Sequence, residues 1–339
     1  SIIDRVGRRR MAIWVELLAA LTAVLIPLSA GLFGMSLGLL IGLGMLRAVV
    51  SPGGSTARKA LVPDVAAAAK ITLDRANSIH EAVFASGFAI GPAVAAVCIS
   101  LIGAVETFYV VAFFAFVSGL VASAIRVVEQ HEENDPDEGQ RFFIYALQGF
   151  KILFQTPPVL ILMIAIRTLA VVYLPTEMVI LPAYFNDLEN PESLGLLIST
   201  MAAASVVGSL LFERLHKWLS FSNILRIGIL GVGLSMLPMS QLLPVPLMLV
   251  FGAVLGLVWG PLMPLLNTVI QRKIPANKRG RVFSLEMTIW TAGPMLSMVL
   301  VGSAVDGIGV GPVYTALAIL VLLAAVLVST SKQIRELDQ

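Results

Sequence analysis

Charged residues are scarce in this sequence. Asp, Glu, Lys and Arg make up 13% of its 339 residues, and hydrophobic residues make up 58%. A soluble domain is about 25% charged. Because so few charges cannot cover the surface of a soluble fold, the composition predicts an integral membrane protein of transmembrane helices, an all-α fold.

Residues that form disulfides or hold metals are scarce too. Cys98 is the single cysteine, which excludes a disulfide within the chain, and there are three histidines. The sequence has no phosphate-binding glycine loop and no paired-histidine zinc motif. We therefore expect neither a cofactor nor a metal.

One short motif resembles that of serine hydrolases. Residues 34–38 read Gly-Met-Ser-Leu-Gly, but such a nucleophile motif needs a preceding strand and a histidine partner. Here it opens an apolar run, and the three histidines are expected on the opposite side of the membrane. We expect a packing face of small residues, not an enzyme.

Ten apolar segments are long enough to cross a bilayer, which takes about 20 helical residues. They lie near residues 11–30, 32–56, 77–101, 105–127, 157–184, 193–213, 222–241, 244–271, 282–305 and 310–331.

The basic residues predict the topology. Of the 23 Lys and Arg residues, 21 lie in termini and loops on the side of Ser1 or in the segment ends next to them, and only Arg47 and Arg167 lie deeper within the segments. The positive-inside rule then predicts a multi-pass protein of the cytoplasmic (inner) membrane with both termini in the cytoplasm. We expect the basic charge to face anionic lipid of the bilayer and not nucleic acid.

An acidic stretch at residues 129–138 interrupts the spans and indicates a solvated cytoplasmic linker. Apolar residues then recur at helical spacing over residues 142–153, which predicts an amphipathic helix on the membrane surface. We therefore divide the chain into an N-terminal half, a linker with this helix and a C-terminal half: residues 1–127, 128–154 and 155–339.

The two halves carry similar landmarks in the same order. The matching pairs are Gly44 and Gly256, Pro52 and Pro264, Pro63 and Pro275, Gly91-Pro92 and Gly293-Pro294, and Asp4-Arg5 and Glu213-Arg214. This pattern predicts two parallel repeats of helices. In the second half, two spans precede Glu213, whereas in the first half none precedes Asp4. We therefore expect a protein of twelve helices, of which this chain contains about ten.

Three motifs resemble those of the major facilitator superfamily. Residues 2–9, Ile-Ile-Asp-Arg-Val-Gly-Arg-Arg, follow its loop signature Gly-x-Leu-a-Asp-Arg-x-Gly-Arg-Lys/Arg from the third position onward. Arg47 lies in the span where the family places an arginine. Residues 87–96 follow its antiporter motif Gly-x-x-x-Gly-Pro-x-x-Gly-Gly, with alanine at both final glycines. The chain thus resembles the drug-efflux antiporters of this superfamily.

The resemblance implies the superfamily fold of two helix bundles and alternating access between its halves. It also implies a gate at the basic loop, formed by Asp4, Arg5, Gly7, Arg8 and Arg9. Asp4 is expected near the N-terminus of the helix that starts around Arg281, where the helix dipole favours an anion. Arg8 is expected to pair with Asp64.

Small residues and a proline mark the span that carries the antiporter motif. Gly87, Gly91 and Ala95 lie on one helix face, where a neighbouring backbone can approach closely, and Pro92 bends the helix. Tight packing alone explains this pattern. The resemblance implies instead a hinge or seal between the halves.

Ionisable residues at membrane depth are candidates for the substrate or proton pathway. Arg167 lies about 15 Å into its span, near the midplane, and Arg47 lies nearer the cytoplasm. Glu286 and Trp290 share a helix face, which suits a proton and cation site. Glu16, which lies about one to two turns inside its span, is a further candidate for this pathway.

The alternatives are snorkelling of both glutamates to the interface and a structural pair for Arg167. The cavity could also be lined by Tyr173, Glu177, Trp259 and Asn267, whose orientation the sequence leaves open.

The expected function is secondary transport of small molecules, with proton-coupled efflux of drugs or amphipathic metabolites as the main hypothesis. An importer or a carrier for one metabolite is the alternative within transport. A transport-inactive membrane sensor or scaffold is the alternative from another class. The protein is expected to be a monomer.

Overall fold

The computed structural model describes residues 7–34, 37–125 and 142–338, and every regular element in these residues is helical. The helices are α1 (Arg8–Phe33), α2 (Leu37–Ala68), α3 (Leu73–Ile102), α4 (Thr107–Ala124), α5 (Phe142–Gln155), α6 (Pro157–Pro175), α7 (Leu181–Asp187), α8 (Pro191–Trp218), α9 (Phe221–Met239), α10 (Val245–Trp259), α11 (Leu262–Lys273), α12 (Ala276–Ile308), α13 (Val310–Thr330) and α14 (Lys332–Arg335). A π-helical segment, Thr176–Ile180, joins α6 to α7, and a 3₁₀ turn, Glu336–Asp338, follows α14.

Among the described residues, eight helical stretches are long and apolar enough to cross a membrane. They are Arg9–Leu32, Thr107–Ala124, Pro157–Asp187, Pro191–Trp218, Phe221–Met239, Val245–Lys273, Ala276–Ile308 and Val310–Thr330. Of the other two predicted spans, residues 32–56 overlap α2 and residues 77–101 lie within α3, and these helices have 32 and 30 residues. The prediction of an all-α, multi-pass membrane protein is therefore confirmed. The predicted linker helix is α5.

The chain forms two compact units. The first unit comprises Ser1–Ile71, Gly91–Lys151 and Ile274–Met287, and the second comprises Thr72–Ile90, Ile152–Lys273 and Thr288–Gln339, as far as these are described. In the first unit α1 packs against α2 and α4, and in the second α10 packs against α8 and α9. Helices α3 and α12 each contribute to both units. The division predicted from the sequence stays a prediction.

Helix α1 begins at a turn that favours glycine. Gly7 has a φ of 89°, in the left-handed region that a side chain disfavours. Helix α1 then packs against α2 through small residues, since Ala12 and Ala57 are both buried. A Cβ on Gly54 would lie 2.7 Å from Val15 Cγ1. The absence of a side chain at position 54 therefore allows this close contact.

Helices α8 and α10 approach each other through backbone atoms. A Cβ added to Gly256 would lie 2.1 Å from the carbonyl oxygen of Met201, and one added to Gly260 would lie 2.3 Å from that of Ser205. The Ser209 hydroxyl donates a 2.9 Å hydrogen bond to the Gly260 carbonyl. Small residues and such hydrogen bonds hold helices together in lipid, where hydrophobic attraction between helices is absent.

The C-terminal segment packs onto the second unit. Leu337 is buried, and the Asp338 carboxylate accepts hydrogen bonds from the Ser222 amide at 3.2 Å and hydroxyl at 2.5 Å. Because Ser222 lies in the first turn of α9, this carboxylate faces the positive end of the helix dipole. Lys273 Nζ donates to the carbonyl of Glu336 at 3.1 Å. The segment thus ties α9 to the end of α11.

Replacing Gly256 by alanine should destabilise the protein, because the new methyl group would meet a backbone oxygen of α8. Overpacking of this kind costs about 1–3 kcal/mol. We expect Gly256→Ala to lower the midpoint of thermal unfolding of the detergent-solubilised protein.

Gly302→Ala is the matched control, because no described atom lies within 4 Å of a Cβ there. It should leave the midpoint unchanged or slightly raised. Equal midpoints for the two variants would contradict the close approach of α8 and α10.

Candidate functional site

A ladder of polar side chains, all buried except Arg272, connects α3 to α11 within the second unit. On α3 the polar positions recur at helical spacing and so share one face. The same is true of the four positions on α11. The polar ladder consists of Asp74, Asn77 and Glu81 on α3 and of Asn267, Thr268, Gln271 and Arg272 on α11.

The first rung of the polar ladder is an ion pair surrounded by aromatic rings. Arg272 Nη2 lies 2.7 Å from Asp74 Oδ1, and Arg272 Cζ lies 5.2 Å from the centroid of the Phe221 ring. His216 stacks on the same ring with centroids 3.9 Å apart, and its Nε2 lies 3.9 Å from Asp74 Oδ2. Cation–π contact and ion pairing therefore act together on Arg272.

The inner rungs are made by amides. Asn77 Nδ2 donates to Gln271 Oε1 at 2.6 Å and to Thr268 Oγ1 at 2.9 Å. Asn267 Nδ2 donates to Glu81 Oε1 at 2.6 Å. All five side chains are buried, and their hydrogen bonds offset the unfavourable transfer of polar groups out of water.

Arg167 lies at the inner end of the polar ladder. It is 3% exposed, and its Cζ lies 4.8 Å from the centroid of the Trp290 ring. The negative charge of Glu81 acts on it electrostatically. The structure thus brings together two residues predicted for the pathway, Arg167 and Trp290, with a glutamate that the sequence analysis did not select.

An aromatic and carboxylate cluster lies further along the same helical run. The Tyr173 hydroxyl donates to Glu177 Oε2 at 3.0 Å, and the Tyr173 and Trp259 rings have centroids 4.9 Å apart. Here the Leu181 amide donates to the carbonyl of Thr176, five residues earlier, as a π-helix requires. Such segments occur frequently at functional sites. All four residues named from the sequence as possible cavity lining are therefore adjacent to one another or to Glu81: Tyr173, Glu177 and Trp259 form this cluster, and Asn267 contacts Glu81.

The two predicted glutamates of the first unit both have cationic partners. Glu16 pairs with Arg58, and Glu286 Oε1 lies 3.5 Å from Lys59 Nζ. Glu286 is fully buried, which disfavours snorkelling to the interface as its explanation. The predicted proton and cation site at Glu286 and Trp290 stays a prediction, and Lys59 is a neighbour of Glu286 that the sequence did not indicate.

Several residues predicted for the gate or the pathway lie outside the described part of the chain. Asp4 and Arg5 are not described at all. Arg8, Arg47 and Pro92 are described as parts of helices, but their side chains are not. The contacts expected of Asp4 and Arg8 therefore stay predictions. Asp64, the expected partner of Arg8, is buried, and the helix expected to start around Arg281 starts at Ala276.

Arg9 and the two motif glycines are described. Arg9 donates to the carbonyl oxygens of Ala122, at 3.5 Å, and Ser123, at the end of α4. These carbonyls carry the negative end of a helix dipole, which favours a cation. No described atom lies within 4 Å of a Cβ at Gly87 or Gly91, so close helix packing at this motif stays a prediction.

The sequence carried a signal for the missed residues. Positions 74, 77, 78 and 81 are all polar and follow the spacing of one helix face next to an apolar run. Glu81 belongs to this set, four residues into its predicted span, but the sequence analysis did not select it. Within the residues that the structure describes, no group of three or more His, Cys, Asp and Glu could hold a metal.

A sequence profile of the Major Facilitator Superfamily matches residues 1–285 and 176–335. The chain belongs to this superfamily. It is therefore a membrane transporter and not an enzyme, as the sequence predicted. The polar ladder and the residues around Arg167 are then candidates for its gate and its transport pathway.

Two relatives are named as efflux pumps. The multidrug efflux pump Tap of Mycolicibacterium fortuitum is 32% identical over 99% of this chain and 83% of its own length. The protein of the same name from Mycobacterium tuberculosis (strain ATCC 25618 / H37Rv) is 29% identical over 99% of this chain and 81% of its own length.

The fold also matches a solved structure. The human organic anion transporter MFSD10 (TETRAN) aligns with a TM-score of 0.78 over 96% of this chain and 78% of its own, with 13% sequence identity. At this identity the match concerns the fold alone. It confirms the predicted superfamily fold.

The Asp74–Arg272 rung should show strong coupling in a double-mutant cycle. Arg272→Leu leaves the Asp74 carboxylate buried without its guanidinium partner, which costs about 3–5 kcal/mol for a fully buried pair and less here, since Arg272 is partly exposed. Replacing both residues by leucine should restore part of the lost stability.

Thermal unfolding of the purified single and double variants measures this coupling. We expect the double variant to unfold at a higher temperature than Arg272→Leu alone. Strictly additive effects would show that the two side chains do not interact.

Proposed function

We propose that this protein is an efflux transporter that exports small amphipathic molecules in exchange for protons. The observation that carries the proposal is a set of charged side chains buried within spans, Arg167 and Glu81 above all. Charges at membrane depth are rare unless they serve transport. The two relatives named as multidrug efflux pumps support the direction and the substrate class.

The pathway in this proposal follows α6 and its π-helical extension. Arg167 and Trp290 form one station, and Tyr173, Glu177 and Trp259 form the next. A carboxylate beside aromatic rings suits an amphipathic cation, because ring faces and the carboxylate both attract positive charge. Arg47, Glu16 and Glu286 are further candidates in the first unit.

The gate in this proposal combines the basic loop with the polar ladder. Asp4, Arg5, Gly7, Arg8 and Arg9 form the loop, with Asp64 as the partner of Arg8. Rungs of hydrogen bonds and one ion pair can open reversibly when water replaces the protein partners. Gly87, Gly91 and Pro92 would then act as a hinge or seal.

We also propose the setting of the transporter. The asymmetry of Lys and Arg supports a cytoplasmic membrane location with both termini in the cytoplasm. The bilayer is its environment, and the monomer is its working form. The superfamily's two bundles support a division into residues 1–127 and 155–339 around the linker 128–154.

Transport by inside-out membrane vesicles tests the function. We expect ethidium or another amphipathic dye to accumulate when the vesicle interior is acidified, and to leak out when a protonophore collapses the pH gradient. Accumulation that survives the protonophore would contradict proton coupling. Accumulation only in right-side-out vesicles would indicate an importer, and no transport of any compound in a dye and metabolite panel would favour a sensor or scaffold.

Replacing Asp4 by asparagine should depress efflux, because the amide keeps the size of the side chain but loses the charge that a helix N-terminus attracts. That interaction is worth about 0.3–1 kcal/mol when exposed and up to about 2 kcal/mol when partly buried. The gate equilibrium should shift between several-fold and about thirtyfold.

Efflux at matched membrane abundance measures this effect, with Arg10→Gln as the control outside the core of the motif. The control should do much less. Equal efflux from the wild type and Asp4→Asn would mean that the loop serves only to set topology.

A further inference from the structure

We propose that Glu81 is the group that takes up and releases the coupling proton, with Asn267 as a hydrogen-bond partner that suits both protonation states. This inference rests on the proposed proton-coupled efflux and names the residue responsible. It concerns the second unit alone, where Glu81, Asn267 and Arg167 all lie.

Glu81 combines an amide hydrogen bond with the positive charge of Arg167, which also acts on it. Glu81 accepts a hydrogen bond from an amide, Asn267 Nδ2, at 2.6 Å. Asp74 and Glu286 instead face Arg272 at 2.7 Å and Lys59 at 3.5 Å. A cation stabilises only the ionised carboxylate, whereas an amide carries both a donor and an acceptor.

The Asn267 amide can therefore form a hydrogen bond with Glu81 in both protonation states. Its NH₂ group donates to Glu81 Oε1 at 2.6 Å, an arrangement that suits the ionised carboxylate. When a proton adds to a carboxylate oxygen, an O–H bond forms, and a half-turn of the amide places Asn267 Oδ1 to accept from it. The hydrogen bond is kept in both states, so proton uptake leaves no buried polar group of this pair unsatisfied.

Protonation of Glu81 changes the net charge of the pair that it forms with Arg167. The charge of Arg167 interacts with that of Glu81, and the Trp290 ring 4.8 Å away provides a second, uncharged contact for the guanidinium. With Glu81 ionised the pair is neutral, and with Glu81 protonated it carries one positive charge. Protonation therefore disfavours a cationic substrate nearby, which is the exchange that an antiporter needs.

A route for the proton lies next to Glu81 in the sequence. His80 Nε2 lies 4.0 Å from Glu81 Oε1, and the His80 side chain is 27% exposed. Histidine exchanges protons near neutral pH. Among the described groups, Glu81 thus faces Arg167 on α6, the neutral Asn267 on α11 and His80 on its own helix, with Asp74 and Arg272 two turns away.

The test compares two transport modes in proteoliposomes with ethidium as the probe. Accumulation driven by a pH gradient requires the proton to bind and leave, whereas exchange of external for internal ethidium without a gradient does not. We expect Glu81→Gln to lower gradient-driven accumulation at least tenfold while it keeps exchange within about twofold of the wild type. Glutamine retains the size and a hydrogen bond to Asn267, so the fold should be kept.

A second readout is independent of transport rates. Ethidium binding to the wild type in weakly buffered detergent solution should release protons, detected by a pH dye, and Glu81→Gln should release at least tenfold fewer. Glu81→Asp should restore part of both signals. Asp74→Asn is the matched control, a buried carboxylate on the same helix face, and should lower both transport modes together without changing protons released per ethidium bound.

The outcomes separate the two proposals. If the wild type shows no gradient-driven accumulation, the proposed proton-coupled efflux is wrong. If the wild type is coupled and Glu81→Gln keeps its coupling, the assignment of Glu81 is wrong. Loss of exchange together with coupling in both Glu81→Gln and Glu81→Asp would show a structural role and would also overturn it.

Discussion

Polar groups inside a membrane must find partners within the protein, and the site depends on this constraint. An unsatisfied polar group costs several kcal/mol in hydrocarbon, because no water is present to replace the missing partner. In the polar ladder, amide groups at the inner rungs and an ion pair at the end provide these partners. The Trp290 ring and the charge of Glu81 do the same for Arg167. In the proposed gate, these contacts separate only when water enters between the helices and takes the place of the protein partners.

The fold was largely predictable because it depends on composition and periodicity. Long apolar runs separated by basic loops identify spans without knowledge of contacts, and the described helices follow them closely. Motif residues added the family, which the profile match confirmed. The turn at Gly7 was also predictable, because a glycine before a basic helix start indicates a backbone angle that other residues avoid.

The site was only partly predictable because it depends on which helices meet. The position of Arg167 near the middle of its span indicated that it is buried, but spacing along one helix could not predict that the Trp290 ring lies against it. Nor could spacing predict that Lys59 of α2 lies next to Glu286. Glu81 was missed for the same reason, since its partners Asn267 and Arg167 are distant in sequence. Spacing along a helix predicts shared faces, but it cannot predict the helix opposite.

The seam between α8 and α10 restricts how this sequence can change over time. A lipid-facing position can exchange one apolar side chain for another with little effect, since lipid tails accept any shape. At Gly208, Gly256 and Gly260 even a methyl group would overlap a backbone carbonyl of the opposite helix. Substitutions there require a compensating shift of a whole helix. In the proposed pathway, substrate preference can therefore diverge through an aromatic residue such as Trp259, while these three glycines hold α8 and α10 in a fixed register.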